Sequence, residues 1–239
     1  MPSAADRVAE LEAVGADLWV APEVEELDGW RLRFAHGLTG RANSVLPNAG
    51  ALGVDEKIEQ VEAWYAARDL PARYQMTLAA QPGLETALVA RGYEQRGDAV
   101  GIEIATLPET TASIGLSSHP DEQWIELWAG SRSFDRLDVA RALLTGSPGE
   151  TAFARIEGAA VGRAVAVGRW LGITSMATLP AARRRGYARA IVESLIAWGR
   201  ARGCTNGLLQ VETTNEPARA LYAGYGFAKH HEYRYLVAP

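Results

Sequence analysis

The sequence predicts an α/β fold of the mixed α+β kind: a central sheet with a long antiparallel meander that feeds a β-α-β unit, flanked by helices. Three observations predict it. An apolar strand, Ile173 to Leu179, runs through a basic, glycine-containing turn straight into a helix whose residues Ala190, Ile191, Ser194, Leu195 and Trp198 recur at helical spacing. Upstream, Thr151 to Ile156 and Ala160 to Trp170 read as strands joined by Glu157-Gly158, a hairpin signal. Downstream, the strand Leu208 to Glu212 precedes a short helix carrying Tyr222, which completes the β-α-β order.

The remaining elements of this half follow in order. A strand near Ser113 to Ser118 opens it, and a helix from Asp121 places Trp124, Leu127 and Trp128 on one face. A second helix lies around Leu137 to Leu144. After the meander come the long helix from Arg185 to about Ala201, the strand Leu208 to Glu212, the Tyr222 helix and a last strand, Tyr233 to Val237.

The first half reads as a worn partial copy of the second. At an offset of 134 residues, Trp64 meets Trp198, Glu59 meets Glu193, Arg68 meets Arg202 and Gly92 meets Gly226. On this reading Trp30 to Ala35 and Arg41 to Leu46 are meander strands, Asp55 to Arg68 the long helix and Ala99 to Ile104 the closing strand. Residues 106 to 118, rich in Ser and Thr and carrying Pro108, supply the boundary, so the expected domains are 1–109 and 110–239.

Composition narrows the function classes. The chain has 239 residues, 48% hydrophobic and 22% charged, an ordinary globular balance. No apolar run approaches the roughly 20 residues of a membrane span, and the start shows no signal pattern, so a cytoplasmic setting is expected. The net charge of −5 argues against a general nucleic-acid binder. Cys204 stands alone and reads as a small core residue, and the four His residues show no metal-ligand spacing, so no metal is expected.

The turn Thr178-Leu179-Pro180-Ala181-Ala182-Arg183-Arg184-Arg185-Gly186-Tyr187-Ala188 carries the chemistry. At a helix N-terminus the first backbone N–H groups lack partners and the dipole is positive, while Gly186 lacks a Cβ that would keep a phosphate oxygen away. Three arginines add charge. By itself such a glycine more often serves only the turn. The partner segment changes that weighting: Asn215, then Ala220-Leu221-Tyr222 with Gly226-Phe227.

Together these segments resemble the Gcn5-related N-acetyltransferase (GNAT) superfamily, whose signature reads here as Arg183-x-x-Gly186-x-Ala188, Asn215, and Ala220-Leu221-Tyr222 with Gly226-Phe227. The likeness covers roughly residues 112 to 239, and its fold has the same element order. Arg184 stands where the family often places Gly, and a regular helix start would accommodate its Cβ.

The resemblance implies an acetyltransferase with acetyl-CoA as cosubstrate and an amine acceptor, with no nucleic acid or membrane partner. It implies that backbone groups of Met176, Ala177 and Thr178 hold the pantetheine arm and thioester carbonyl. The arginines Arg183, Arg184 and Arg185 and the N–H groups of Arg184, Arg185, Gly186, Tyr187 and Ala188 would hold the pyrophosphate. Tyr222 is the expected general acid, because a phenol stays protonated at neutral pH; without the motif it reads as a core tyrosine. Asn215 is a helix cap by default and a pantetheine contact in the family. Glu212 is a candidate base acting through water, against the reading that it is merely solvated.

The acceptor wall is expected from Trp124, Trp128, Arg132, Phe134 and Asp135, with His230, His231 and Tyr233. A small molecule, a peptide N-terminus and a lysine side chain all qualify as acceptor, and the oligomeric state is not legible. In the first half, Pro47 to Gly53 keeps the spacing of Pro180 to Gly186 but has no arginine, while Asp55 and Glu56 are expected to cap the helix start themselves. Leu88 aligns with Tyr222. No acetyl-CoA is therefore expected there. Two other readings remain open at this point: a non-catalytic acyl-CoA sensor or interaction module, and a nucleic-acid contact made by the arginine cluster, which a steep salt dependence would reveal.

Overall fold

Strand pairing ties the two halves of the chain together. The computed structural model describes residues 2–130 and 136–239. Helix α1 (Ala4–Leu18) starts at a reciprocal cap: Ser3 Oγ accepts from the Asp6 N–H and the Asp6 carboxylate accepts from the Ser3 N–H. Strands β1 (Glu23–Leu27), β2 (Trp30–Phe34) and β3 (Leu46–Pro47) form a small antiparallel sheet. Helix α2 (Val54–Ala66), β4 (Arg73–Met76), α3 (Leu84–Ala90), β5 (Glu94–Gln95) and β6 (Val100–Thr106) follow.

The second half runs β7 (Leu116–Ser117), α4 (Glu122–Gly130), α5 (Leu137–Thr145), β8 (Glu150–Ile156), β9 (Ala160–Val167) and β10 (Trp170–Thr178). A 3₁₀ turn at Pro180–Ala182 leads to α6 (Tyr187–Arg200), β11 (Asn206–Glu212), α7 (Glu216–Ala223) and β12 (Ala228–Val237). Helix α6 sinks Ile191, Val192, Leu195 and Ile196 into the core against the central strands. Strand β9 is buried over its first six residues, Ala160 to Val165, because helices cover both of its faces.

Nine strands form one sheet in the order β4-β12-β6-β11-β10-β9-β8-β7, with β5 also on β12. The order contains an exchange. Strand β6, from the first half, lies antiparallel between β11 and the first part of β12. In return, Arg234 to Val237 at the end of β12 pairs with β4 of the first half, and Leu236–Val237 with β5. A parallel bridge between Val45 and Tyr74 links β4 to the small sheet.

Several boundaries differ from expectation for local reasons. The segment 41–44 is a turn rather than a strand, because the Asn43 side chain accepts from the N–H groups of Ala35 and Gly37 and donates to Thr39 O. Trp170 belongs to β10, since Gly168 at φ 54° turns the chain before it. Helix α1 was not anticipated at all. It packs on β9 and β10, where Leu18 sits so close to Gly172 that a Cβ there would lie 2.7 Å from a Leu18 methyl.

Candidate active site

Strands β10 and β11 pair in parallel only over Trp170–Ile173 and Asn206–Leu209, then part. The separation has a visible cause. The β10–β9 register shifts between Thr174 and Ala177, and Ser175 within this bulge has φ 54°, a left-handed conformation uncommon for a non-glycine residue. Strand β11 meanwhile stays registered with β6 through Glu212↔Val100. A cleft of 380 Å³ opens between the parted strands.

At the outer end of β10 the chain turns through Pro180–Ala182 into α6. Gly186, at φ 81°, caps the helix, and a Cβ added there would meet no atom within 4 Å. Among the described residues, the N–H groups of Arg184 through Arg189 find no backbone acceptor. Arg183, Arg184 and Arg185 are exposed and make no ion pair among the described residues; Arg183 Nε donates to Thr178 O at 3.4 Å, and Arg185 lies over the Tyr187 ring. Arg184 corrects one expectation: its φ is 63°, so the loop and not a regular helix start holds it, in the left-handed region that favours glycine. Adjacent N–H groups in such a loop form an anion-binding concavity.

Met176, Glu212, Asn215 and Tyr222 all line the cleft. Met176 also packs on Gly162, where a Cβ would lie 2.5 Å from its sulfur. Ala177 is half-buried against the α4–α5 core, and Thr178 pairs with Ala160. Asn215 Oδ1 caps α7 by accepting from the Ala218 N–H at 3.3 Å. Glu212 is exposed at the end of β11. Tyr222 is 7% exposed, stacks edge-on to Phe227, and its hydroxyl makes no hydrogen bond among the described residues. Burial first, and the Glu103 carboxylate second, push this phenol up to about 12.

The opposite part of the cleft joins Trp128 and Tyr233, both expected on the acceptor wall, to residues the sequence did not point to: Trp19, Thr39, Gly40 and Arg41 of the first half, and Tyr235. Of the expected wall, Trp124 is core instead, with Nε1 donating to Ala154 O, because its face of α4 packs on the sheet. His230 is exposed, and His231 contacts Glu12 of α1 at 2.9 Å rather than lining the cleft. Arg132, Phe134 and Asp135 lie outside the described residues.

Beneath this wall Arg163 is fully buried, with no carboxylate partner among the described residues. Its guanidinium donates to Leu18 O, Leu144 O, Ser147 Oγ and Thr174 Oγ1. Those two carbonyls belong to the last turns of α1 and α5, where helix dipoles are negative. Burial, and then the nearby Arg41, draw its pKa down to about 9.

The loop from Pro47 to Gly53 in the first half is arranged differently. Asp55, expected to cap α2, instead pairs with Arg91, and Gly53 caps the helix with no side-chain hydrogen bond. The carboxylate that reaches the loop is Asp28, which accepts from the N–H groups of Ala51 and Leu52 and pairs with the buried Lys57 at 2.7 Å.

Comparison with known proteins agrees with this geometry. A family model described as "Probable histone acetyltransferase Rv0428c C-terminal" matches residues 5–236. The probable histone acetyltransferase Rv0428c of Mycobacterium tuberculosis is 33% identical over 234 residues, covering 95% of this chain and 73% of that protein. The N-acetyltransferase YobR of Bacillus subtilis, itself uncharacterized, is 23% identical over 97% of this chain and 99% of its own. Among solved structures, a GCN5-related N-acetyltransferase from Kribbella flavida superposes with a TM-score of 0.65 at 17% identity, covering 100% of this chain and 96% of its own.

Proposed function

The chain belongs to the family of the Rv0428c C-terminal acetyltransferases, within the GNAT superfamily, and from that premise we propose that it moves the acetyl group of acetyl-CoA directly to a primary amine. The observation that carries the reading is the cleft between β10 and β11, with free amides where β10 turns into α6 and, in the cleft wall, a Tyr222 hydroxyl unpartnered among the described residues.

The residues fit such a cosubstrate. A diphosphate suits the amides of Arg184 to Ala188, backed by the Arg183–Arg185 cations and by the start of α6. The unpaired edge of β10 at Met176 to Thr178 suits the amide groups of a pantetheine arm, beside Asn215. Acetyl-CoA supplies an activated thioester; the protein supplies position and protons. Confining amine and thioester to one cleft replaces a bimolecular encounter by an oriented one.

Tyr222 is the proton donor to the leaving sulfur. With its pKa pushed to about 12 it is protonated throughout the neutral range. Glu212, on the same cleft, takes the proton of the attacking amine through water. The first half holds no acetyl-CoA: the Asp28 carboxylate already occupies the loop amides, and a second anion would meet it. It acts instead as a worn structural copy that completes the acceptor side of the cleft.

The deciding experiment is a primary-amine library screened for CoA release, with Gly186→Glu as the cosubstrate-blind control. Acetylation of at least one amine class by the wild type and by no amine in the control is the expected outcome. Release of CoA at equal rates in both sinks the reading.

A further inference from the structure

The acceptor wall carries a cation that no carboxylate among the described residues neutralises. Arg41, between β2 and β3, lines the cleft, and its Nε is shut off from solvent with no hydrogen-bond partner. Among the described residues no carboxylate lies within ion-pair distance of its guanidinium. Its neighbours deepen the imbalance. Arg163 stands near enough to feel its charge, and both guanidiniums approach the Trp19 ring, at 5.8 Å for Arg41 and 5.5 Å for Arg163. Arg73 lies over the ring of Tyr235, another cleft residue.

Among the described residues, two buried carboxylates near this wall are committed elsewhere. Glu12 accepts from Gln75 Nε2 at 2.6 Å and contacts His231 at 2.9 Å. Glu103 pairs with Arg219 at 3.2 Å. Glu212 lines the same cleft from the end of β11, outside ion-pair distance of Arg41. A partly buried cation without a partner is costly, and a guanidinium fork matches a carboxylate through two parallel hydrogen bonds. The chain as a whole is acidic, at −5, so this excess of positive charge is local.

We propose that the acceptor is a small amine bearing a carboxylate, and that Arg41 binds that carboxylate while the amine faces the β10–β11 end of the cleft. The proposal rests on the acetyltransferase reading for the identity of the amine, and on Arg41 for the anion. It sets this chain apart from an enzyme for polycationic tails, which Arg41, Arg73 and Arg163 would repel.

The test is a binding measurement that needs no turnover. N-acetyl amino acids and their carboxamides are titrated by calorimetry into wild type, Arg41→Gln and Arg41→Lys, with the thermal transition of each variant as the check on folding. The expected result is that carboxylates bind the wild type at least about tenfold more tightly than their carboxamides, because a charge-assisted pair is lost in the amide. Arg41→Gln erases the difference and Arg41→Lys restores part of it. Equal affinity for both series, or a preference that persists in Arg41→Gln, overturns the proposal. In parallel, free amino acids, their carboxamides and a lysine-rich histone-tail peptide are compared as acceptors. Preference for the peptide also overturns it, whereas carboxylate binding without any acetylation sinks the catalytic reading and leaves the anion site standing.

Discussion

Lys57 and Asp28 form a 2.7 Å ion pair at the Ala51–Leu52 loop of the first half. The side chain of Lys57 is fully buried, and the same Asp28 carboxylate takes the amides of Ala51 and Leu52. That loop is thus closed by an internal anion, whereas the amides of Arg184 to Ala188 in the second half find no backbone acceptor among the described residues.

Calorimetry should accordingly give one acetyl-CoA per chain. The Lys57 hydrogen bond first, then the Leu52 and Ala51 amides, hold Asp28 at about 2, below its ordinary 3.8. A carboxylate lowered on folding stabilises above its ordinary pKa and loses that contribution as pH falls from about 4 through about 2. Chemical denaturation of wild type and Asp28→Asn across that window should show a steeper acid decline in the wild type. Parallel declines would mean that Asp28 is not the titrating group.

Gly186 separates binding from folding. Its φ of 81° disfavours any side chain, yet no atom lies within 4 Å of a Cβ placed there. Gly186→Ala should cost about 1 kcal/mol of stability, the strain of a left-handed residue. Gly186→Glu should weaken acetyl-CoA binding at least about tenfold by placing negative charge beside the free amides. Isothermal titration of both variants checks this, and unchanged affinity in Gly186→Glu would remove the phosphate loop from the site.

Tyr222→Phe should lower kcat by about a hundredfold, the scale of general acid catalysis, while the dissociation constant of acetyl-CoA moves less than about threefold. Since the phenol stands at about 12, the wild-type kcat profile should show no descending limb near pH 10 from this group. A limb near 10 that vanishes in Tyr222→Phe would place the hydroxyl in water rather than in a buried wall.

Arg163→Leu tests the carbonyl cage. Removing the guanidinium leaves Leu18 O and Leu144 O buried, so stability should fall by about 3 kcal/mol, read from the denaturation midpoint. A loss below about 1 kcal/mol would mean that water replaces the cage.

Local periodicity made much of the second half readable. The apolar spacing of α6 and the hairpin at Glu157-Gly158 depend on neighbours within a few residues, and both elements appear with small boundary shifts. Met176, Glu212, Asn215 and Tyr222 were singled out in the sequence and meet at one cleft. What stayed hidden depends on distance along the chain. Trp19 and Arg41 reach the cleft from more than a hundred residues before Ser175, and neither carries a motif. Asp28, rather than the Asp55 expected to cap the helix start, brings a carboxylate to this loop, because a hairpin turn between β1 and β2 places it there and no helical pattern records that approach. The left-handed Arg184 was also illegible, since residue type alone points away from it.

The traded strands have a consequence for anyone dividing the protein. A break between Glu109 and Thr110 leaves the N-terminal piece carrying a strand whose neighbours are in the other piece, and the C-terminal piece likewise. Each fragment alone would present a slot one strand wide, lined by unsatisfied amides and carbonyls, and would aggregate or recruit whatever extended chain was at hand. Supplied together, each piece holds the plug for the other's slot, so the natural peptide link serves to keep the two at high local concentration.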